Sequence, residues 1–252
     1  MGIKNFLNQF SSFKSDSASL TIVGVGPGDP SLLTIAAVAA IKKAKVIVFP
    51  ISDDNKKSFA AEIVQRYTKF KKNIPIVFPM ARKGFNPDEI WSNAVEKIMK
   101  FIQNGESVVL LCLGDTSIFA SSSNILRLIK NNHAEIITKT IPGISSISAA
   151  AALNDFDLVK KGETLIIKEC PSLESELTTL IRESKPKKTV LAIMKVGKRW
   201  NLVREILKNE DIINKSLVAL SIGMPDQIVR YASEYEDDIM PYFSLILIRF
   251  DE

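Results

Sequence analysis

Three short stretches of this sequence combine residue types that work through the main chain rather than through an acid or a base. The first is Leu20–Pro30, LTIVGVGPGDP, where an apolar run enters Gly24, Gly26 and Gly28 at alternate positions, followed by Asp29. Glycines lack the Cβ that forbids positive φ, so the chain can turn sharply there and a ligand can approach the backbone closely. The second is Leu113-Gly114-Asp115-Thr116-Ser117-Ile118-Phe119, closing the continuous apolar run SVVLLCLG. Asp115 reads either as a turn residue or helix cap, or as part of a loop that contacts a cofactor. The third is Pro142-Gly143-Ile144-Ser145-Ser146. It is either a hinge with a helix start, or a set of hydroxyls and amides facing a ligand.

Side chains for other chemistries are sparse. There is no Ser/His/Asp, Cys/His or paired-carboxylate pattern. The single histidine, His133, lies in the polar turn NNHAE and reads as a solvated loop residue. Cys112 sits inside an apolar run and Cys170 precedes Pro171, so both read as reduced thiols rather than a disulfide. A zinc site of nitrogen and sulfur ligands is not expected. The first loop does not carry a dinucleotide fingerprint. That motif needs two residues between its second and third glycines and an acid closing the second strand. Here Pro27 alone separates Gly26 from Gly28, the second strand ends in Phe49-Pro50, and Asp53 and Asp54 lie farther on.

The elements that must position these loops follow from periodicity. Leu20–Val23 is a strand, and 32–43 spaces apolar residues helically and ends in basic residues, as a helix C-terminus prefers. KVIVFP is a second strand, 58–70 a helix, and IPIVFPM a third strand. Asn86-Pro87-Asp88 opens a helix through Trp91, Val95, Ile98 and Ile102 to Asn104-Gly105. SVVLLCLG is a strand buried on both faces, followed by a helix at 121–131 and a strand near 135–138. This alternation is that of a doubly wound α/β unit with a mostly parallel sheet. After Ile141-Pro142-Gly143 the helix ISSISAAAAL opens a second unit. Its strands are expected at 163–168, 188–194, 216–222 and 242–248, and its helices at 172–184 and 200–208. The last strands lack long helices between them, which suggests antiparallel pairing and a mixed sheet. The expected division is an extension over 1–18, one α/β domain over 19–141 and a second over 142–252.

With 252 residues, 46% hydrophobic and 24% charged, the chain has the composition of an ordinary globular protein. Its net charge of +5 suits an acidic ligand, and charge alone does not select one. No apolar run reaches the roughly eighteen residues of a membrane-spanning helix. The first residues lack a secretory pattern, so a cytoplasmic protein without membrane association is expected. A nucleic-acid partner is not expected, because no basic strand is interleaved with aromatics.

Taken together, GVGPGDP, LGD and PGISS before an alanine-rich helix resemble the tetrapyrrole (corrin/porphyrin) methyltransferase family, from Leu20 to Phe250. Phe78-Pro79-Met80, Met194-Lys195-Val196-Gly197, Met224-Pro225-Asp226 and Tyr242-Phe243-Ser244-Leu245 are similar to the branch that methylates precorrin-2 at C20 in cobalamin biosynthesis. The resemblance implies a two-domain α/β homodimer holding S-adenosylmethionine between its domains and releasing S-adenosylhomocysteine. It implies cofactor contacts at Pro27, Leu113, Gly114, Asp115, Ile118, Phe119, Ser145, Ser146, Met194 and Ile222. For the polycarboxylate tetrapyrrole substrate, Gly26, Gly28, Asp29, Arg82, Lys195 and Lys198 are the candidates. The same fold in relatives serves cobalt-factor II, uroporphyrinogen III or other corrin carbons, and a non-catalytic nucleotide-binding module is the reading from another class. The sequence departs from the family pattern at Ala120, where glycine is usual, and at Phe119, where tyrosine is usual. No residue is marked as a general base.

Overall fold

The computed structural model describes residues 18–52, 57–78 and 86–250. They form two five-stranded sheets. Contacts divide the chain into two compact units: one runs through Val25 and then over Leu33–Gly143, and the other comprises Gly26–Leu32 and the chain from Ile144. The short segment Gly26–Leu32 thus belongs with the second unit although it interrupts the first.

In the first unit the strands are β1 (Ser19–Gly24), β2 (Val46–Ile51), β3 (Lys72–Val77), β4 (Ser107–Cys112) and β5 (Ile137–Ile141), in the order β3-β2-β4-β1-β5. Every pairing is parallel. The crossovers contain α1 (Ile35–Lys43), the short α2 (Phe59–Ile63) and α3 (Gln65–Thr68), α4 (Pro87–Gln103) and α5 (Ser122–Asn132). Alternate strand residues enter different cores, because successive side chains point to opposite faces. Leu20, Ile22, Val108 and Leu110 pack with Ile98, Ile102, Ile125 and Ile129 of α4 and α5. Val23, Val109 and Leu111 pack with Ala37, Ile41, Ala60 and Ile63 of α1 and α2. Burial on both faces is why these strands read as continuous apolar runs. Each fully buried Leu or Ile contributes roughly 1.5–3 kcal/mol relative to exposure.

Helix limits follow from capping. The Thr34 hydroxyl accepts from Ala37 N–H at 3.0 Å and starts α1 at Ile35. The helix expected from residue 32 is therefore shorter, with a separate 3-10 turn at Pro30–Leu32. Asn86 caps α4, with Asp88 and Glu89 in its first turn, and Gly105 ends it at φ 78°. The helix expected over 58–70 is broken at Val64, where Tyr67 N–H bonds to the Val64 carbonyl in a tighter turn. The strand expected near 135–138 lies at β5 instead, set by its register with β1, Ser19 opposite Ile137 and Val23 opposite Ile141.

In the second unit, α6 (Ser146–Leu153) is followed by β6 (Thr164–Glu169), α7 (Glu174–Ser184), β7 (Thr189–Met194), α8 (Trp200–Asn209), β8 (Ser216–Leu220), β9 (Ile228–Tyr231) and β10 (Ser244–Ile248). The sheet order is β6-β7-β10-β8-β9. β6 and β7 are parallel, whereas β10 is antiparallel to both β7 and β8, and β9 is antiparallel to β8. The antiparallel pairing and mixed sheet expected from the sequence are therefore present. One face packs on α7 and α8 around the fully buried Trp200, whose Nε1–H donates to the Asp237 carbonyl at 2.9 Å. Val190, Ala192, Leu217, Ala219, Leu245 and Leu247 are buried as well, and α6 packs against β10. Among the described residues no helix is long and apolar enough to cross a membrane.

Candidate functional site

In the first unit, β4, β1 and β5 are neighbours in the parallel sheet, so the loops after them emerge side by side at its carboxyl edge. Those are the loops beginning at Gly24, Leu113 and Pro142. β1 leads across the sheet to β2 while β4 leads to β5 on the other side, so adjacent strands send their connections in opposite directions. Such a reversal is where open α/β sheets bind ligands.

Three glycines make the approach of these loops possible. A Cβ on Gly143 would stand 2.2 Å from the Gly114 carbonyl oxygen, and one on Gly24 would stand 2.4 Å from Gly143 N. Gly114 differs: its φ is 73° and a Cβ there would meet nothing within 4 Å, so that stretch of backbone faces open space. Leu113, Gly114 and Ile118 are half-buried, and Phe119 is 47% exposed with φ 48°.

The two oxygens of Asp115 tie two of these loops together. Oδ2 accepts from Gly143 N–H at 3.0 Å, and Oδ1 accepts from Ser117 N–H at 2.8 Å and from the Ser117 hydroxyl. Burial works to raise the Asp115 pKa. The hydrogen bonds from Ser117, Gly143 and Thr116 outweigh it and hold the carboxyl below its ordinary value. Of the two readings of this residue from sequence, the turn former is the one these bonds display: its carboxylate joins the β4 and β5 loops.

In the second unit the same construction recurs at one end of the mixed sheet. Because β10 runs against β7 and β8, its start lies beside their ends, with Leu245 opposite Met194 and Ser244 opposite Leu220. Met194 is half-buried and Ile222 buried at this edge. Gly28 packs here too. A Cβ on it would stand 2.5 Å from the Gly223 carbonyl carbon, and one on Gly223 would stand 2.5 Å from Asp29 N. Gly26 (φ 79°) and Pro27 are buried within the same segment. Asp29 accepts from Ser31 N–H at 2.7 Å, which caps the 3-10 turn, and hydrogen bonds from Ser31 lower its pKa. Ser145 is the N-cap of α6 and accepts from Ser148 N–H at 3.1 Å, with Ser146 the first helical residue.

The basic candidates divide. Lys195 adopts φ 57°, and its ammonium pairs with Glu169 at 3.3 Å. Lys198 is exposed in the 3-10 turn leading to α8. Arg199 donates to the Cys170 carbonyl at 2.6 Å and to the Lys195 carbonyl at 3.3 Å, so its guanidinium holds the loop. Arg82, Pro79 and Met80 lie outside the described residues. Cys112 and Cys170 are free and buried, and burial pushes both thiols up.

Two residues of this edge, Ser221 and Gln227, carry no sequence signal. Ser221 adopts φ 48°, and its hydroxyl donates to Asp226 at 2.9 Å. Gln227 accepts from Gly223 N–H at 2.7 Å. These bonds shape the loop after β8, and its Gly223 packs against Gly28, a pairing across most of the chain that no local pattern announces.

Residues 19–236 match the family described as Tetrapyrrole (Corrin/Porphyrin) Methylases. The chain is 32% identical over 233 residues to a probable cobalt-precorrin-2 C(20)-methyltransferase of Methanocaldococcus jannaschii, covering 90% of this chain and 94% of that one. It is 25% identical over 235 residues to a precorrin-2 C(20)-methyltransferase of a Sinorhizobium species, covering 90% and 93%. In fold it is similar to the crystal structure of a cobalt precorrin-4 methyltransferase, with a TM-score of 0.69, 20% identity and coverage of 92% and 95%.

Proposed function

The chain belongs to the tetrapyrrole (corrin/porphyrin) methylase family, and from that premise we propose that it methylates precorrin-2 at C20, giving precorrin-3A. The observation that carries the reading is the joining of three strand-end loops through Gly24, Gly114 and Gly143, with Asp115 binding two of them. Family members use S-adenosylmethionine as methyl donor. The backbone cradle fits such a ligand: side chains are excluded at Gly24 and Gly143, and the Gly114 face is open. S-adenosylmethionine would supply an electrophilic sulfonium methyl to the nucleophilic meso carbon, with S-adenosylhomocysteine as the leaving group and the meso proton released to solvent.

In this reading Pro27, Leu113, Gly114, Ile118, Phe119, Ser145, Ser146, Met194 and Ile222 hold the donor. Asp115 acts by fixing the loops, since its oxygens are engaged by Gly143 and Ser117. Gly26, Gly28, Asp29, Arg82, Lys195 and Lys198 serve the tetrapyrrole. The apolar side chains of Ile118, Phe119, Met194 and Ile222 exclude water from the reacting carbon. Aligning donor and acceptor supplies much of the rate, and such effects are worth roughly 7–11 kcal/mol. No side chain needs to act as a nucleophile. We further propose a cytoplasmic homodimer, as the family resemblance implies.

A second reading, the cobalt-bound substrate, is favoured by the 32% identical relative, which is named for that form. Both readings are tested by incubating the protein with methyl-labelled S-adenosylmethionine and either metal-free or cobalt-bound precorrin-2, then locating the label by NMR. Label at C20 is expected. Label at another carbon, or none with either substrate, overturns the assignment.

A further inference from the structure

The segment Tyr242-Phe243-Ser244 is placed by the sheet in a position that the residues assigned above leave unaccounted for. β10 lies between β7 and β8 and antiparallel to both, so the residues just before it stand between the loops that leave those two strands. Both loops are fastened to it. Gly197 N–H donates to the Ser244 hydroxyl at 2.8 Å, and Ser221 N–H donates to the Phe243 carbonyl at 2.8 Å. Each of these loops holds a non-glycine residue in the left-handed region, Lys195 at φ 57° and Ser221 at φ 48°. Strained backbone of this kind collects at ligand sites.

From Ser244 to Ile248 every residue is buried, yet Tyr242 is 47% exposed. Its ring is not loose: it stands edge-on to Phe243, with centroids 5.3 Å apart and planes at 74°. An oriented aromatic face is therefore presented beside the Lys195 loop. A tetrapyrrole offers flat conjugated segments with carboxylates at its rim, which an aromatic face and neighbouring ammonium groups match. The adenosine of the donor has no such rim of charge.

We infer that Tyr242 is a substrate-positioning residue whose ring packs against the tetrapyrrole; the inference rests on the methyltransferase reading above. Phe243 orients that ring, and Ser244 fixes the loop bearing Lys195 relative to it.

The test compares the wild type with Tyr242→Ala and Tyr242→Phe, measuring KM for the tetrapyrrole, Kd for S-adenosylmethionine by calorimetry, and Tm. Tyr242→Ala should raise the tetrapyrrole KM about tenfold, the scale of one lost aromatic contact, with donor Kd and Tm unchanged. Tyr242→Phe, which keeps the ring, should restore the wild-type KM. An unchanged KM in Tyr242→Ala, a loss confined to donor binding, or a Phe variant as impaired as the Ala variant would each overturn the inference. If Tyr242→Ala lowers Tm, the Phe variant and Tyr242→Leu decide: the ring role requires Phe to be active and Leu to be impaired. A wild type that methylates neither form of precorrin-2 counts against the parent reading instead, so the two failures are distinguishable.

Discussion

A methyl group at position 143 would be forced to within 2.2 Å of the Gly114 carbonyl oxygen, and both neighbours are backbone that has little freedom to retreat. Gly143→Ala should therefore cost about 3 kcal/mol by overpacking and abolish donor binding, read as a fall in Tm and a lost calorimetric signal. Gly105→Ala is the control: its φ is 78° but open space surrounds it, so only conformational strain of about 1 kcal/mol is expected, with binding intact. Asp115 adds a pH dependence. Its folded pKa lies below the ordinary carboxylate value because the hydrogen bonds it accepts outweigh its burial. A depressed folded pKa means that its stabilisation is fully present above the unfolded value and disappears as pH falls through the folded one. Asp115→Asn turns an amide N–H toward either Gly143 or Ser117, both of which already donate. At neutral pH it should lose on the order of 1 kcal/mol, reduced by the half-exposed setting. Thermal melts across pH should show the gap to wild type closing below about pH 4. A gap that stays constant down to pH 2 would show that the carboxylate charge contributes nothing.

At the level of elements, the first unit is most legible where a strand is apolar on both faces, as β1 and β4 are, and where a helix carries a capping side chain at its start, as α1 and α4 do. Asn86 and Gly105 bracket α4 in the sequence as they do in space. β9 was not legible: Ile228–Tyr231 is a four-residue edge strand with Arg230 and Tyr231 exposed, too short for periodicity to register. The site divides in the same way. The loops carrying Gly24, Gly114 and Gly143 announce themselves through glycine, which permits close backbone approach, whereas the pairing of Gly28 with Gly223 does not. The left-handed turns at Phe119, Lys195 and Ser221 do not, because nothing about Phe, Lys or Ser signals positive φ. Those turns make the strand-end loops costly to fold, at roughly 1–2 kcal/mol for each such residue. Phe119→Gly should accordingly leave Tm unchanged or higher while weakening S-adenosylmethionine binding. Parallel melting and calorimetry would check it, and a variant that binds the donor normally would remove Phe119 from the site.

For the whole molecule, in the proposed reading a net charge of +5 would raise the local concentration of a polycarboxylate substrate and make its capture depend on salt. The structure narrows which cations can do this. Arg199 is hydrogen-bonded to the Cys170 and Lys195 carbonyls, so removing it would disturb the loop itself and confuse any test of charge. Lys198 is exposed, and Lys195 sits in an ion pair with Glu169 that is partly open to solvent. Exposed pairs of this kind are worth about 0–1 kcal/mol, little enough for a substrate carboxylate to displace Glu169. The double variant Lys195→Gln with Lys198→Gln should therefore fold normally and raise the tetrapyrrole KM several-fold at low salt. Its kcat should stay near wild type, because neither ammonium acts on the transferring methyl. Screening shortens the reach of surface charge to about 8 Å at physiological ionic strength and about 3 Å at 1 M, so the two KM values should converge as salt rises. If they differ by the same factor at every salt concentration, Lys195 and Lys198 act through shape rather than charge, and carboxylate capture must be assigned to other residues.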